Sequence, residues 1–466
     1  MSEKLVQCVS PVDGSVYAER SLTGADAIGK VCNSARAAQA EWRKVPVSER
    51  AEYCARAVDA MLAMADDIVP ELAWQMGRPV AFGQSELRGF EERARHMISI
   101  AEESLGDIVP EPKAGFTRRI AREPLGIVFT IAPWNYPYLT AVNSIVPALM
   151  AGNAVLLKHA RQTLLVGERF EKAFEEAGLP QGLFHNLVLS HAQTADLISG
   201  GQADMVCFTG SVGGGKAMEE AAAGRFINLG LELGGKDPAY VREDAELGYA
   251  VENLVDGAFF NSGQSCCGVE RIYVHERLFD GFVGGFVDLA RQYVLGDPLD
   301  EATTLGPMID AKSADFVRGQ IDGAVKSGAT AHIDEGAFEQ SRAGTPYLAP
   351  QVLTGVNHQM SVMRDESFGP VIGIMAVSGD EEAIALMNDS PFGLTASIWT
   401  ADEGAAAAVG EKINTGTVYM NRCDYLDPAL AWTGVGQSGR GCTLSRIGYE
   451  HLTRPKSFHF RVDTGA

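Results

Sequence analysis

Gly126-Ile127-Val128-Phe129-Thr130-Ile131-Ala132-Pro133-Trp134-Asn135-Tyr136-Pro137 is a short apolar run closed by two prolines. Its β-branched and aromatic residues fit a strand over Gly126–Ala132, and the prolines end it. A helical stretch follows at Leu139–Met150, then a second apolar run at Ala154–Lys158. The alternation continues with a helix over Leu164–Ala177, a strand over Leu183–Leu187, a helix over Ala192–Ile198 and a strand over Met205–Phe208. Strands separated by such helices imply a parallel sheet with crossover connections. These sheets bind ligands beyond the carboxyl ends of their strands. The turn at Pro133–Pro137 therefore marks a place to look for a site.

Outward from this block the pattern changes. Residues 25–105 read as mainly helical, with Ala and Val at helical spacing in Ala25–Trp42 and again in Arg50–Ala65. Phe116–Glu123 reads as extended and carries Arg118, Arg119 and Arg122. A second alternating block runs from Leu233 to Thr433, with a helix over Leu247–Phe260, a strand over Arg271–His275 and a helix over Leu278–Tyr293. Lys456–Val462 alternates polar and apolar residues, as an edge strand does, and such strands often pair across subunits.

At 466 residues the chain is long enough for two or three domains. Its 46% hydrophobic and 21% charged residues are ordinary for a globular protein. Acidic residues outnumber basic ones 60 to 39, for a formal charge of -21. That balance, without a Lys/Arg cluster, argues against nucleic acid and anionic membranes as partners. The longest apolar region, Leu125–Lys158, is broken by Pro133, Pro137 and Pro147, so no membrane span is expected. The start, MSEKLVQCVSPVDG, does not read as a secretory signal. Eight scattered cysteines suggest neither a disulfide framework nor a zinc site, and a cytoplasmic location is expected.

Four segments carry candidate chemistry. In Asn261-Ser262-Gly263-Gln264-Ser265-Cys266-Cys267 a cysteine lies in a polar, Gly-containing turn. Such a turn can expose a thiol and favour thiolate, although a lone cysteine can equally be a small buried hydrophobe. In Leu231-Glu232-Leu233-Gly234-Gly235-Lys236 a carboxylate sits between leucines. Partial burial would raise its pKa and suit it to act as a general base; capping amides or pairing with Lys236 are the alternatives. Asn135 could be a fixed amide donor for an oxyanion, or a turn residue bonding its own backbone. Phe208-Thr209-Gly210-Ser211-Val212-Gly213-Gly214-Gly215 places a Gly-rich turn between a strand and a helix, a layout that receives a pyrophosphate. It departs from GxGxxG followed by an acidic residue.

Taken in order, these segments resemble the NAD(P)-dependent aldehyde dehydrogenase superfamily. Further matches are Lys158, Glu366-Ser367-Phe368-Gly369-Pro370, Pro391-Phe392-Gly393-Leu394, Gly416-Thr417-Val418-Tyr419-Met420-Asn421 and Ser438-Gly439-Arg440-Gly441, so the likeness spans nearly the whole chain. The resemblance implies an α/β protein of three parts. A Rossmann-like cofactor domain would take 1–107 and 125–232, a catalytic α/β domain 233–433, and a small bridging β oligomerisation element 108–124 and 450–466. It implies Cys266 as the nucleophile, with Cys267 a neighbour. Asn135 and the Cys266 backbone N–H would hold the oxyanion, and Glu232 would activate water against the thioester. Trp134, Gly210, Ser211, Gly215 and Leu233 would lie at the cofactor, Lys158 at its adenine ribose, and Glu366 and Phe368 at the nicotinamide end. NAD or NADP, an aldehyde substrate, and a homodimer or homotetramer are what the family implies.

Three positions depart from the family pattern. Lys158-His159-Ala160-Arg161 stands where Lys-Pro-Ala-Glu is common. Arg161 could meet a 2′-phosphate or face solvent, and His159 is expected to be structural. Asn143 stands where relatives acting on acid aldehydes often carry an Arg, and Asp424 lies in the tunnel region, so a neutral aldehyde is expected. Thr433-Gly434-Val435-Gly436 replaces a Gly-Gly-x-Lys loop and is expected to affect packing. The rival readings are acyl transfer to coenzyme A, a semialdehyde-specific enzyme and a non-catalytic scaffold. Glu232 argues for water as the acyl acceptor, and the set Cys266, Glu232 and Asn135 argues against a scaffold.

Overall fold

The computed structural model describes residues 5–464. Two parallel sheets organise it. In the first, the order is Gly439–Arg440, Asn228–Glu232, Met205–Thr209, Ile127–Ile131, Ala154–Lys158 and Phe184–Asn186. All its pairings are parallel except that of Gly439–Arg440 with Leu231 and Glu232. Ile127–Ile131 is buried at every position, as a strand covered on both faces must be. The chain builds outward in one direction from Ile127–Ile131, then returns to add Met205–Thr209 on its other side. That reversal is a topological switch point, and a crevice opens there beyond the carboxyl ends.

The second sheet has the order Thr330–Ala331, Gln351–Thr354, Val371–Val377, Val269–His275, Asp237–Val241, Thr395–Trp399 and Thr417–Met420. Only Thr330–Ala331 runs antiparallel to its neighbour. The candidate residues of this half precede its strands: Cys266 comes before Val269 and Phe368 before Val371. The site thus lies between the carboxyl ends of one sheet and the amino ends of the other.

The helical expectation for the first hundred residues resolves into Ala25–Trp42, Val47–Leu62, Ala65–Met76 and Val80–Leu105. They cover the first sheet; Trp42, for example, is buried and donates its Nε1–H to Leu149 O at 2.9 Å. The other expected strands and helices appear with boundaries moved by a few residues, as fraying ends do. An antiparallel hairpin, Leu5–Val9 with Val16–Ser21, was not expected. Its strands are short and partly exposed, so they lack a clear apolar face. Phe116–Pro124 pairs antiparallel with Thr453–Arg461 as a separate ribbon. The expected tail strand therefore finds a partner within its own chain. Among the described residues no helix is long and apolar enough to cross a membrane.

Candidate active site

The Pro133–Pro137 turn leaves the first sheet at Ile131 and enters the helix Pro137–Met150. The turn before Cys266 belongs to the second sheet. Asn261, Ser262 and Gly263 all have left-handed backbone, with φ of 54°, 57° and 69°. Two non-glycine residues in that region store strain, which persists only where the surroundings over-determine it. Gly263 has no alternative, because a Cβ there would lie 2.3 Å from Gly369 O. The side chains supply the compensation. Ser262 Oγ donates to Gly306 O at 2.7 Å, and Gln264 Oε1 accepts from Ile309 N at 2.7 Å. Asn261 Nδ2 donates to Asn135 O at 3.2 Å and to Gln264 O at 3.1 Å.

One buried ion pair ties the two turns together. Arg78 and Glu86 bond directly, with side chains 1% and 0% exposed. Arg78 also donates to Asn135 O at 2.7 Å and to Asn261 Oδ1 at 3.3 Å, and its guanidinium lies 4.6 Å from the centre of the Tyr136 ring. Glu86 accepts from Tyr138 N and Leu139 N, the first free amides of the helix Pro137–Met150. Asn135 Nδ2 donates to Gln264 O at 3.2 Å, and its other amide hydrogen has no acceptor among the described residues. Asn135 therefore does not bond its own backbone; its amide is aimed by the cysteine turn.

Two cavities meet at Cys266, Glu232 and Thr140. The larger, about 670 Å³, is lined by Trp134, Asn135, Lys158, Arg161, Gly210, Ser211, Leu233, Glu366 and Phe368. Every expected cofactor residue except Gly215 faces it. Gly215 lies behind that wall, where a Cβ would come 2.7 Å from Leu233 and push the helix Val212–Ala222 off its strand. Ser211 caps that helix, accepting from Gly214 N at 3.2 Å. The helix N-terminus points positive charge into the cleft. Lys158 donates only to His159 O, and Arg161 is exposed with no acidic partner among the described residues. His159 is structural: it is buried neutral, its pKa pushed down to about 4 by burial, and bridges Pro137 O to Thr163 Oγ1 and Ala160 N.

The expected nicotinamide end is built across the sheets. Trp134 and Phe368 meet edge to face at 5.7 Å. Phe368 has φ +51°, held because Glu270 accepts from the backbone N–H of both Ser367 and Phe368. Glu270 also pairs with buried Lys236 at 2.5 Å. Lys236 thus belongs to Glu270 and not to Glu232, which sequence left as an alternative. Glu366 accepts from Gly235 N at 3.0 Å. Burial, and then Glu270, push its carboxyl up to about 7.

The smaller cavity, about 340 Å³, is lined by Arg88, Arg93, Tyr136, Asn143, Asp256, Cys266, Asp424 and Trp432 among others. Cys266 is half-buried between the two spaces, whereas Cys267 is buried and donates to Asp424 Oδ1 at 2.9 Å. The adjoining Cys266 side chain, burial and Asp424 all push the Cys267 thiol up, which keeps it protonated. Glu232 accepts from Thr209 Oγ1 at 3.2 Å and Thr443 Oγ1 at 2.6 Å. Burial raises its pKa, opposed by Thr443, Arg93 and Thr209. The junction thus holds a reachable thiol, a carboxylate of increased basicity and a fixed amide donor.

The sequence matches the aldehyde dehydrogenase family over residues 1–458. The chain belongs to that family. An aldehyde dehydrogenase of Paenarthrobacter nicotinovorans is 34% identical over 91% of this chain and 92% of its own. A succinate semialdehyde dehydrogenase [NAD(P)+] of Escherichia coli is 32% identical over 94% of both chains. The crystal structure of an NAD-dependent aldehyde dehydrogenase from Sinorhizobium meliloti superposes with a TM-score of 0.94 at 30% identity, covering 99% of this chain and 92% of that one. The protein is an oxidoreductase of this NAD(P)-dependent class, with the family's Rossmann-like fold.

Sequence reasoning missed the roles of the residues that position the others: Arg78, Glu86, Asn261, Gln264 and Glu270, the last being the true partner of Lys236. Their partners lie far along the chain, so no local pattern announces them. Arg78→Met would leave Glu86 buried and unpaired. The variant is expected to lose about 3–5 kcal/mol of stability in a denaturant titration. A loss within about 0.5 kcal/mol would show that this pair does not fasten the turns.

Proposed function

We propose that the enzyme oxidises an aldehyde to a carboxylic acid through a thioester on Cys266, with water as the acyl acceptor. The observation that carries this reading is the meeting of the two cavities at Cys266, Glu232 and Thr140, one of about 670 Å³ with room for a dinucleotide and one of about 340 Å³ with room for a small substrate.

The Cys266 thiolate adds to the aldehyde carbon, and the oxygen becomes an oxyanion. The free Asn135 amide hydrogen and the Cys266 backbone N–H donate to it; losing one such donor typically costs about 10²–10³ in rate. NAD or NADP, when bound, supplies the acceptor for the hydride that leaves the thiohemiacetal carbon. Glu232 then takes a proton from water as that water attacks the thioester carbonyl, and the C–S bond breaks to release the acid and Cys266 thiolate. Burial makes Glu232 a stronger base than an exposed carboxylate. A Glu in this position favours hydrolysis over transfer to coenzyme A.

The cleft fits a dinucleotide. Gly210 and Ser211 open a helix N-terminus for the pyrophosphate, and Lys158 has donors to spare for a ribose. Gly234 keeps the floor low, since a Cβ there would collide with the Glu366 carboxylate. Trp134, Glu366, Phe368 and Leu233 bound the nicotinamide end, and Gly215 acts by close packing. Arg161 supports NADP, because an unpaired guanidinium at the adenine end suits a 2′-phosphate.

The proposed division is 1–107 with 125–232 for the cofactor, 233–433 for catalysis, and 108–124 with 450–466 as the bridging element. Residues 434–449 join the cofactor part, since Gly439–Arg440 extends its sheet. In the ribbon of Phe116–Pro124 and Thr453–Arg461, Ile108 bridges Ile120 on one side, while the Thr453–Arg461 edge has no strand partner among the described residues and Phe460 is exposed, which suits a homodimer or homotetramer in the cytoplasm.

Cys266→Ser is expected to abolish reduction of the dinucleotide, followed by absorbance, while its binding persists. Cys267→Ser is expected to cost less than about 10-fold. The reverse pattern would move the nucleophile to Cys267. Arg161→Glu is expected to lower the NADP-to-NAD ratio of kcat/KM by about 10–100-fold. An unchanged ratio would place Arg161 in solvent.

A further inference from the structure

We propose that the smaller cavity carries an anion subsite centred on Arg93, and that the physiological aldehyde bears a carboxylate. This rests on the reading of Cys266 as nucleophile and names the class of substrate it receives.

Arg93 lies on the inner face of the helix Val80–Leu105 and is only 7% exposed. Its Nη1 donates to Leu139 O at 2.7 Å and to Asn143 Oδ1 at 3.4 Å. Its Nε and Nη2 donate to nothing in the protein, and no carboxylate lies within ion-pair distance of it among the described residues. Arg78, buried in the same helical half, has Glu86; Arg50, also buried without an acidic partner among the described residues, is spent on Met150 O and Arg43 O and does not line the cavity. A guanidinium held in the interior without a direct ion-pair partner is costly, even with Glu86 and Glu232 acting on it from a distance. The two unused groups belong to a side chain that lines the same cavity as Cys266. A planar fork of two N–H donors matches a carboxylate.

The acids around that cavity do not fill the role. Asp424 accepts from Ser265 Oγ and Cys267 Sγ, both at 2.9 Å. Glu232 is held by Thr209 and Thr443, and Glu92 accepts from Tyr425 Oη at 2.6 Å. Asp256 is exposed at the rim. Also exposed is Arg88, a second cation with no acidic partner among the described residues, five residues before Arg93 on the same helix. It draws an anion toward the mouth. Asn143 gains a role here. Its Oδ1 steadies Arg93, while its Nδ2 is buried without an acceptor beside the same cavity. The expectation of a neutral aldehyde rested on Asn143 replacing an Arg and on Asp424 in the tunnel region, and Asp424 is engaged by Ser265 and Cys267. The structure supplies the cation from another helix instead.

The test compares matched pairs on the full-length enzyme with NAD and NADP: 4-oxobutanoate against butanal, and 5-oxopentanoate against pentanal. The wild type is expected to favour the acid of at least one pair by about 10–100-fold in kcat/KM, mainly through KM. Arg93→Met is expected to erase that ratio, and Arg93→Lys, which keeps the charge but not the fork, to retain part of it. Titration calorimetry with succinate and glutarate gives a readout free of catalysis and, in the wild type, free of any folding defect. Saturable binding is expected there, weakened at least about 10-fold in Arg93→Met. Equal rates within each pair, a preference for an ammonium-bearing aldehyde, a ratio unchanged in Arg93→Met, or no dicarboxylate binding to the wild type would each overturn the subsite. If no aldehyde is oxidised, the reading of Cys266 fails on its own, and the dicarboxylate titration still decides the subsite.

Discussion

The Arg78–Glu86 pair holds together what the chain keeps far apart. A buried ion pair contributes little net stability, because desolvation offsets attraction. Its value here is geometric. One guanidinium fastens Asn135 O and Asn261 Oδ1, and its carboxylate partner caps the helix Pro137–Met150. The Pro133–Pro137 turn and the left-handed turn before Cys266 are therefore set by one rigid group. The Asn135 amide is aimed by Gln264 O as a result. A second buried pair, Lys236 with Glu270, does the same for the loop carrying Glu366 and Phe368.

These clamps matter because the two sheets present opposite ends to each other. The first offers carboxyl ends at a switch point, where open α/β sheets hold ligands. The second offers the loops before its strands. Each half alone has part of the candidate set. Glu232 and Asn135 come from one sheet and Cys266 from the other, so their mutual position depends on contacts across the junction. Trp134 against Phe368 is one such contact, and the Asn261 bonds to Asn135 O are another. The strain stored at Asn261, Ser262 and Phe368 lies where these contacts concentrate.

The α/β class and the parallel sheets were legible because strand runs such as Ile127–Ile131 and Ala154–Lys158 are short, apolar and bounded by helices. The lining of the larger cavity was legible because its residues sit at strand ends inside compact motifs. Three kinds of feature were not. The hairpin Leu5–Val9 with Val16–Ser21 has no strong alternation to betray it. Arg78, Glu86 and Glu270 read as ordinary charges on helices and strands, since their burial is set by partners up to 183 residues away. Arg93 hid for the same reason. The counter-charge for the cavity was sought at Asn143, whereas the buried cation that lines it, Arg93, belongs to a helix that sequence read only as part of a helical stretch.

The most direct measurement traps the covalent state in Glu232→Gln. The variant is mixed with aldehyde and NAD(P)+, quenched in acid, digested and fragmented by mass spectrometry. The acyl group is expected to accumulate on Cys266, accompanied by a burst of reduced dinucleotide and slow turnover. An acyl group on Cys267, or a burst that leaves no acylated cysteine, would contradict a thioester on Cys266 that Glu232 releases.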